Sequence, residues 1–185
     1  MPRTNDTKAK MVASAALLLR EEGIARTGFR DVVEHSGTPR GSIAHHFPEG
    51  KRQMVGDAVR FAGGLASDAM RRKASTPEEA IGLIFKMYRR ALSDTSYAAG
   101  CPVGAVAQEG YNDPELRGAV SEVFDDWRSV LTGLLTGAGH AEPQADALTD
   151  LAIASMQGAI MLSRVDGTTT ALDHVERQLL ALVAI

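Results

Sequence analysis

The sequence predicts an all-α protein: a small N-terminal three-helix head joined by one long helix to a C-terminal helical bundle. Three observations carry this. Apolar residues recur at i, i+3 and i+4 in almost every segment, while no run alternates with the period of two that a strand needs. Clusters of glycine, proline and capping residues punctuate the segments at helical lengths. The stretch FRDVVEHSGTPRGSIAHHFPEGK, residues 29–51, reads as short helix, glycine turn, short helix and abrupt stop.

The head opens with Thr4 to Glu22, which puts Met11, Val12, Ala15, Ala16, Leu18 and Leu19 on one face and ends at Gly23. Arg26-Thr27-Gly28 is a turn, with Thr27 a candidate cap for the helix that begins near Phe29. Phe29, Val32 and Val33 share a face of that helix. Gly37 breaks it, because only glycine enters the left-handed region without a Cβ penalty. Thr38 reads as the next N-cap and Pro39 as the first helical residue, where no N–H is needed. The second short helix spends only Ile43 and Phe47 on apolar contact. Arg40, Gly41, Ser42, Ala44, His45 and His46 face elsewhere, and Pro48 stops it. Two helices joined by a short glycine turn are either an ordinary αα-corner or a helix-turn-helix, whose second helix enters the DNA major groove.

Composition leaves room for both. The chain has 185 residues, 44% hydrophobic and 23% charged, enough for a sizeable core and too apolar for bulk disorder. No run approaches a membrane span. The N-terminal MPRTNDTKAK lacks the apolar core of a signal peptide, and a single cysteine, Cys101, fits a reducing cytosol, so a cytoplasmic protein is expected. The net charge of −3 hides an asymmetry: residues 1–60 hold more Lys and Arg than Asp and Glu, and residues 61–185 the reverse. A basic end on an acidic chain is a modest sign of a polyanionic partner.

The rest is helical throughout. A connecting helix runs from about Lys51 to Lys73, with Met54, Val55, Ala58, Val59, Phe61, Ala62, Leu65 and Ala69 in its pattern. It closes on Arg71-Arg72-Lys73, cations that suit a helix C-terminus. Ser75-Thr76-Pro77-Glu78-Glu79 opens a helix to about Ser93. Gly100-Cys101-Pro102 begins a short one to about Gln108, and Pro114 to Thr136, Glu142 to Arg164 and a final segment from Thr168 or Thr170 complete the chain. The domains expected are therefore 1–50, the helix-turn-helix head, and 51–185, the bundle, with 51–73 as the connection. The last two helices are apolar on more than one face, with Leu151, Ser155, Gly158, Ala159 and Leu162 on one and Val175, Leu179 and Leu182 on the other. A second face wants a partner, so a homodimer through an intersubunit four-helix bundle is expected; the alternative is a terminal hairpin buried within a monomer.

Catalytic chemistry finds little support. His45 and His46 are adjacent on a helix and point about 100° apart, so they cannot chelate one ion as an i, i+4 pair does. Cys101 at a helix start is either a thiol of lowered pKa or a buried structural residue. No nucleophile–base spacing or phosphate loop stands out, so neither an enzyme, a metal nor a cofactor is expected.

With SGTPRGSIAHHFPEGK in this place, the chain resembles the TetR family of bacterial transcriptional repressors, in detail over about Lys8 to Val59 and in layout beyond it. GCPVGAVAQE, residues 100–109, and QGAIMLSRV, residues 157–165, resemble the branch containing regulators of antibiotic-resistance and efflux genes. The resemblance implies that the 51–185 bundle binds a ligand and dimerises, and that the dimer binds palindromic duplex DNA until a small effector releases it. It makes Pro39 to His46 the recognition helix, with Thr38, Pro39, Arg40, Gly41 and Ser42 in the contact segment. Arg40 is the candidate for a base or phosphate contact, since arginine can bond guanine O6 and N7 together. Thr27, Arg30 and Lys51 are implied to meet phosphate. His45 and His46 match a frequent aromatic-His pair, one touching DNA and the other structural. The family commonly has tyrosine where this chain has Ala44; its phosphate bond is lost, and an apolar touch on a thymine methyl could replace it.

An effector pocket is likewise implied by the resemblance. Phe85, Tyr88, Phe124, Trp127, Met87, Met156 and Met161 are what an apolar cavity uses, and also what any helical core uses. Cys101 and Ile160 join the candidates, with Gln108, Gln157 and Arg164 for polar contacts and an aromatic, largely apolar effector expected. The other reading from a different class is a helical small-molecule-binding or scaffolding protein whose head reads no specific sequence.

Overall fold

A computed structural model describes residues 4–184, and among these it is helical throughout, with no strand. In chain order the helices are α1 (Thr4–Glu22), α2 (Phe29–Ser36), α3 (Ile43–His46), α4 (Lys51–Lys73), α5 (Pro77–Asp94), α6 (Pro102–Glu109), α7 (Pro114–Gly137), α8 (Glu142–Asp166) and α9 (Thr170–Val183). A 3₁₀ turn, Arg40–Ser42, leads directly into α3. No helix among the described residues is long and apolar enough to cross a membrane.

Local chemistry sets most boundaries where the sequence puts them. The Thr76 hydroxyl accepts the Glu79 N–H at 3.3 Å, and the Glu79 carboxylate reaches back to the Ser75 N–H at 2.7 Å, so two donors at the start of α5 are satisfied by side chains. Cys101 is the N-cap of α6, its Sγ accepting from the Gly104 N–H at 3.4 Å. Two expected caps differ. Gly28, not Thr27, precedes α2, and its N–H donates to the Asp31 carboxylate at 2.8 Å. Thr38 does not cap the next helix either: its hydroxyl pairs with that of Ser36 at 2.6 Å. Pro39 takes the capping position instead, extended at ψ 129°, and the Ser42 N–H donates to its carbonyl at 3.1 Å.

The contacts gather into two compact units. The first comprises Met1–Gly64 with Cys101–Val123, and thus α1 to α3, the start of α4, α6 and the start of α7. Its core joins Met11, Ala15 and Leu19 of α1 to Val32 of α2, Phe47, and Met54 and Val55 of α4, all fully buried or nearly so. α6 packs against α1. α4 and α7 approach closely at Gly63, where a Cβ would lie within 3.0 Å of the Val123 Cβ, and exposed ion pairs flank them, Arg52–Glu115 at 2.8 Å and Arg60–Glu122 at 2.6 Å.

The second unit comprises Leu65–Gly100 with Phe124–Ile185. Here α9 packs on both α8 and α5. Arg89 of α5 forks onto α9, its Nε donating to Asp173 at 2.8 Å and its Nη2 to Glu176. His140, between α7 and α8, bonds the Val183 carbonyl at the end of α9 through its Nε2 at 3.0 Å. Arg71 pairs with Asp126, joining α4 to α7 within this unit. Two residues of the α4 pattern, Phe61 and Leu65, stay exposed rather than joining the core, because α4 needs only one face inside.

Candidate functional site

The head presents its polar residues around a scaffold that fixes α3. Ile43 and Phe47 are buried, and Phe47 stacks on Phe29 with ring centroids 6.3 Å apart. The Lys8 ammonium lies 5.5 Å above the Phe47 ring while pairing with Asp57 at 2.9 Å. Anchored from below, the segment leaves Pro39, Arg40, Gly41, Ala44 and His45 exposed and Thr38, Ser42 and His46 half-buried. The 3₁₀ turn matters here. It advances about 120° per residue rather than 100°, so Arg40, Gly41 and Ser42 fan differently than in a continuous α-helix. Nothing lies near the place of a Cβ on Gly41, so its exposed backbone is open to close approach. The His45 and His46 rings meet edge to face at 5.4 Å.

Arg30, in the first turn of α2, is exposed. The Lys51 ammonium, at the start of α4, reaches only the Ala25 carbonyl, at 3.5 Å. Thr27 is placed otherwise than expected: it is fully buried and its hydroxyl donates to the Gly23 carbonyl at 2.7 Å, so its side chain braces the turn and does not face a phosphate.

In the second unit a cavity of about 30 Å³ lies among α4, α5, α7 and α8. Of the residues expected there, Phe85, Tyr88, Trp127 and Met156 line it. Phe124 is half-buried beside it and meets the Trp127 ring edge-on at 5.7 Å. Met87 and Met161 face solvent. Cys101 and Gln108 belong to α6 and its cap in the first unit, while Gln157 and Ile160 sit on α8 without lining the cavity. The remaining lining comes from Ala66, Met70, Ala80, Ile81, Ile84, Leu131, Ala152 and Ile153. Ile81, Ile84, Phe85 and Tyr88 share one face at i, i+3, i+4, i+7, a legible signal. The alanines carry no signal beyond small size; their missing bulk is what leaves the space.

The outer face of α8 carries Leu151, Ser155, Gly158 and Leu162 in one stripe, with Leu151 45% and Leu162 50% exposed. Leu182 of α9 is exposed as well, and Val175 is half-buried. Ala159 and Leu179 are buried in the unit's own core, so they are withdrawn from the expected intersubunit set.

No group of three or more His, Cys, Asp or Glu among the described residues is arranged to hold a metal ion. The ion pairs beside these features perturb their members. Hydrogen bonding to the Arg60 guanidinium holds the Glu122 carboxyl below its usual value, and Arg71, then Ser67, do the same for Asp126.

Comparison with known proteins agrees at both ends of the chain. Residues 12–58 match the family described as bacterial regulatory proteins, tetR family. Residues 77–178 match the LmrA/YxaF-like transcriptional regulator C-terminal domain. The chain is 37% identical to the HTH-type transcriptional regulator Rv0196 of Mycobacterium tuberculosis, over 93% of this chain and 91% of that one. It is 32% identical to the HTH-type transcriptional regulator YxaF of Bacillus subtilis, over 99% and 98%. Among solved structures, a TetR transcriptional regulator from Chloroflexus aurantiacus superposes with a TM-score of 0.77 at 29% identity, covering 98% of this chain and 96% of that one. A helix-turn-helix head and a bundle that match the same kind of protein over nearly the whole chain place it in the TetR family of bacterial transcriptional regulators, in the LmrA/YxaF-like branch.

Proposed function

We propose that this regulator is a homodimeric repressor that reads a palindromic operator and is released by a small, largely apolar effector. The observation that carries the reading is α4 itself. One continuous helix begins at Lys51, a few residues after α3 in the chain, and carries Ala66 and Met70 of the cavity lining near its other end. The cavity's volume, about 30 Å³, is far below the roughly 300–1,000 Å³ of a drug-sized ligand site. An effector therefore has to push the lining apart, and α4 is part of that lining. α4, an element shared by cavity and head, is therefore taken as the route by which effector binding reaches Lys51.

Two heads are needed because one recognition helix covers little DNA, and their spacing should match successive major grooves, roughly 34–36 Å apart or somewhat more. The apolar stripe of α8, with Leu182 of α9, supplies a self-complementary surface for the pairing. Arg40 is assigned to base recognition and Arg30 and Lys51 to phosphate, with Ala44 set to touch a thymine methyl. The cavity lining is almost wholly apolar, with Tyr88 and Trp127 as its only residues bearing a polar side-chain atom other than sulfur, which favours an uncharged effector. Effector and operator then oppose each other by the same factor in both directions.

Selection of bound duplexes from a random pool, followed by anisotropy titrations, tests the reading. A recovered palindrome whose affinity falls when an apolar ligand binds supports it. Salt-labile binding with no enriched sequence would sink it.

A further inference from the structure

Glu109 ends α6 and is exposed, yet its carboxylate is committed to the turn that follows α1. Its Oε2 accepts the Ile24 N–H at 2.7 Å, across 85 residues of sequence. Beside it, Gly23 has φ +74°, a left-handed conformation that disfavours any side chain. A Cβ there would also overlap the Glu109 carboxylate, with even the farther oxygen only 2.9 Å away. The end of α1 is thus shaped to receive the carboxylate. α6 is packed firmly enough to aim it, since Val103 and Val106 are each 1% exposed and the helix lies against α1.

Helix electrostatics do not account for this placement. An acid in the last turn of α6 faces that helix's own negative end, and it also sits against the negative end of α1. Both dipoles disfavour it. The compensating gain is the charge-assisted bond to Ile24. That bond holds the turn between α1 and α2, which is closed on itself by Thr27 N–H to Ile24 carbonyl at 3.2 Å and by the Thr27 hydroxyl to Gly23. The turn also meets Lys51 at Ala25, and it delivers the chain to Gly28 and α2, where Arg30 stands.

We propose that Glu109 is a positioning residue for operator binding: through Ile24 it fixes the α1–α2 turn, and with it the first turn of α2, in the DNA-reading arrangement. The proposal rests on the head's reading operator DNA, and it adds that α6 helps to hold that head in register.

The test uses the full chain, the operator duplex recovered by selection, and the variants Glu109→Ala and Glu109→Gln. Glu109→Ala should weaken operator binding roughly three- to tenfold, the expected range for one hydrogen bond to a charged group at a partly exposed site. It should also speed amide exchange at Ile24 and Thr27. Glu109→Gln keeps an accepting oxygen in the same place and should restore both to within about twofold of wild type. Glu109→Ala should lower the melting temperature by no more than a few degrees, about the cost of one hydrogen bond, and Glu109→Gln should bring it back toward wild type. Unchanged affinity and exchange in Glu109→Ala would overturn the proposal, and so would a glutamine variant as defective as the alanine one. Failure of the wild type to select any sequence would overturn the operator reading first, and the proposal with it.

Discussion

Truncating Leu162 should weaken the proposed dimer, and the size of the effect follows from its exposure. Leu162 is 50% exposed in the single chain, so a partner that covers it completes about half of a burial worth roughly 1.5–3 kcal/mol for a whole leucine. A two-fold interface contains the residue twice, so Leu162→Ala should weaken association by up to about 1.5–3 kcal/mol, roughly ten- to hundredfold in the dissociation constant. The folded protomer should be little affected, since the side chain is not part of its own core. Sedimentation equilibrium across a wide concentration range gives the constant directly. Met87→Ala serves as the control, because Met87 on α5 is 40% exposed and lies outside the α8–α9 stripe. Equal weakening by both variants, or none by Leu162→Ala, would refute the assignment of the α8 stripe to pairing.

Arg40→Ala should relax sequence preference by about 1–3 kcal/mol at one base pair, whereas Lys51→Ala should weaken all sequences alike and lower the salt slope by about one; competition titrations over single-base operator variants separate the two. Ala152→Leu, whose added carbons exceed the space of the cavity, should press on α4 as an effector does, lowering operator affinity without ligand and blunting any further release, at an overpacking cost of about 1–3 kcal/mol read from urea unfolding. Gly23→Ala should destabilise the fold by about 1–2 kcal/mol through its positive φ, and adding Glu109→Ala should cost less than the two changes summed, as a double-mutant cycle would register. For pH, the Asp126 carboxyl is held down in the folded state by Arg71, so its contribution is present above its unfolded value near 4 and disappears as pH falls through the lower folded value. Unfolding midpoints should therefore fall as pH drops below about 5 and through the lowered folded value, and Arg71→Ala should remove part of that drop, within about 1 kcal/mol because Arg71 is exposed and Asp126 only half-buried.

Helix order was legible because capping chemistry is local: Thr76, Glu79 and Cys101 act within a few residues of where they stand. The start of the recognition segment was not. Thr38-Pro39 is the usual signature of a cap and first helical residue, yet the Thr38 hydroxyl has a nearer partner in Ser36, and Pro39 can stay extended because the Ser42 side chain bonds its carbonyl at 2.7 Å. Faces of α8 and α9 were legible only as apolar. Ala159 and Leu162 are both apolar, the larger one outside, and their separation into core and surface depends on where α5 and α9 lie. The same holds for the cavity: Phe85 and Trp127 announce a core, but the space beside them is made by Ala66, Ala80 and Ala152. The Glu109–Ile24 bond, between residues 85 apart in the chain, has no local signature at all.

The discontinuity of the first unit bears on any attempt to treat the head as a transferable cassette. A chimera that exchanges only residues up to 64 would leave α1 without the α6 that packs on it and without the Glu109 carboxylate at its end. Swapping operator specificity between relatives of this kind therefore calls for grafting two stretches at once, Met1–Gly64 and Cys101–Val123, or for changing only the exposed side chains on a retained frame.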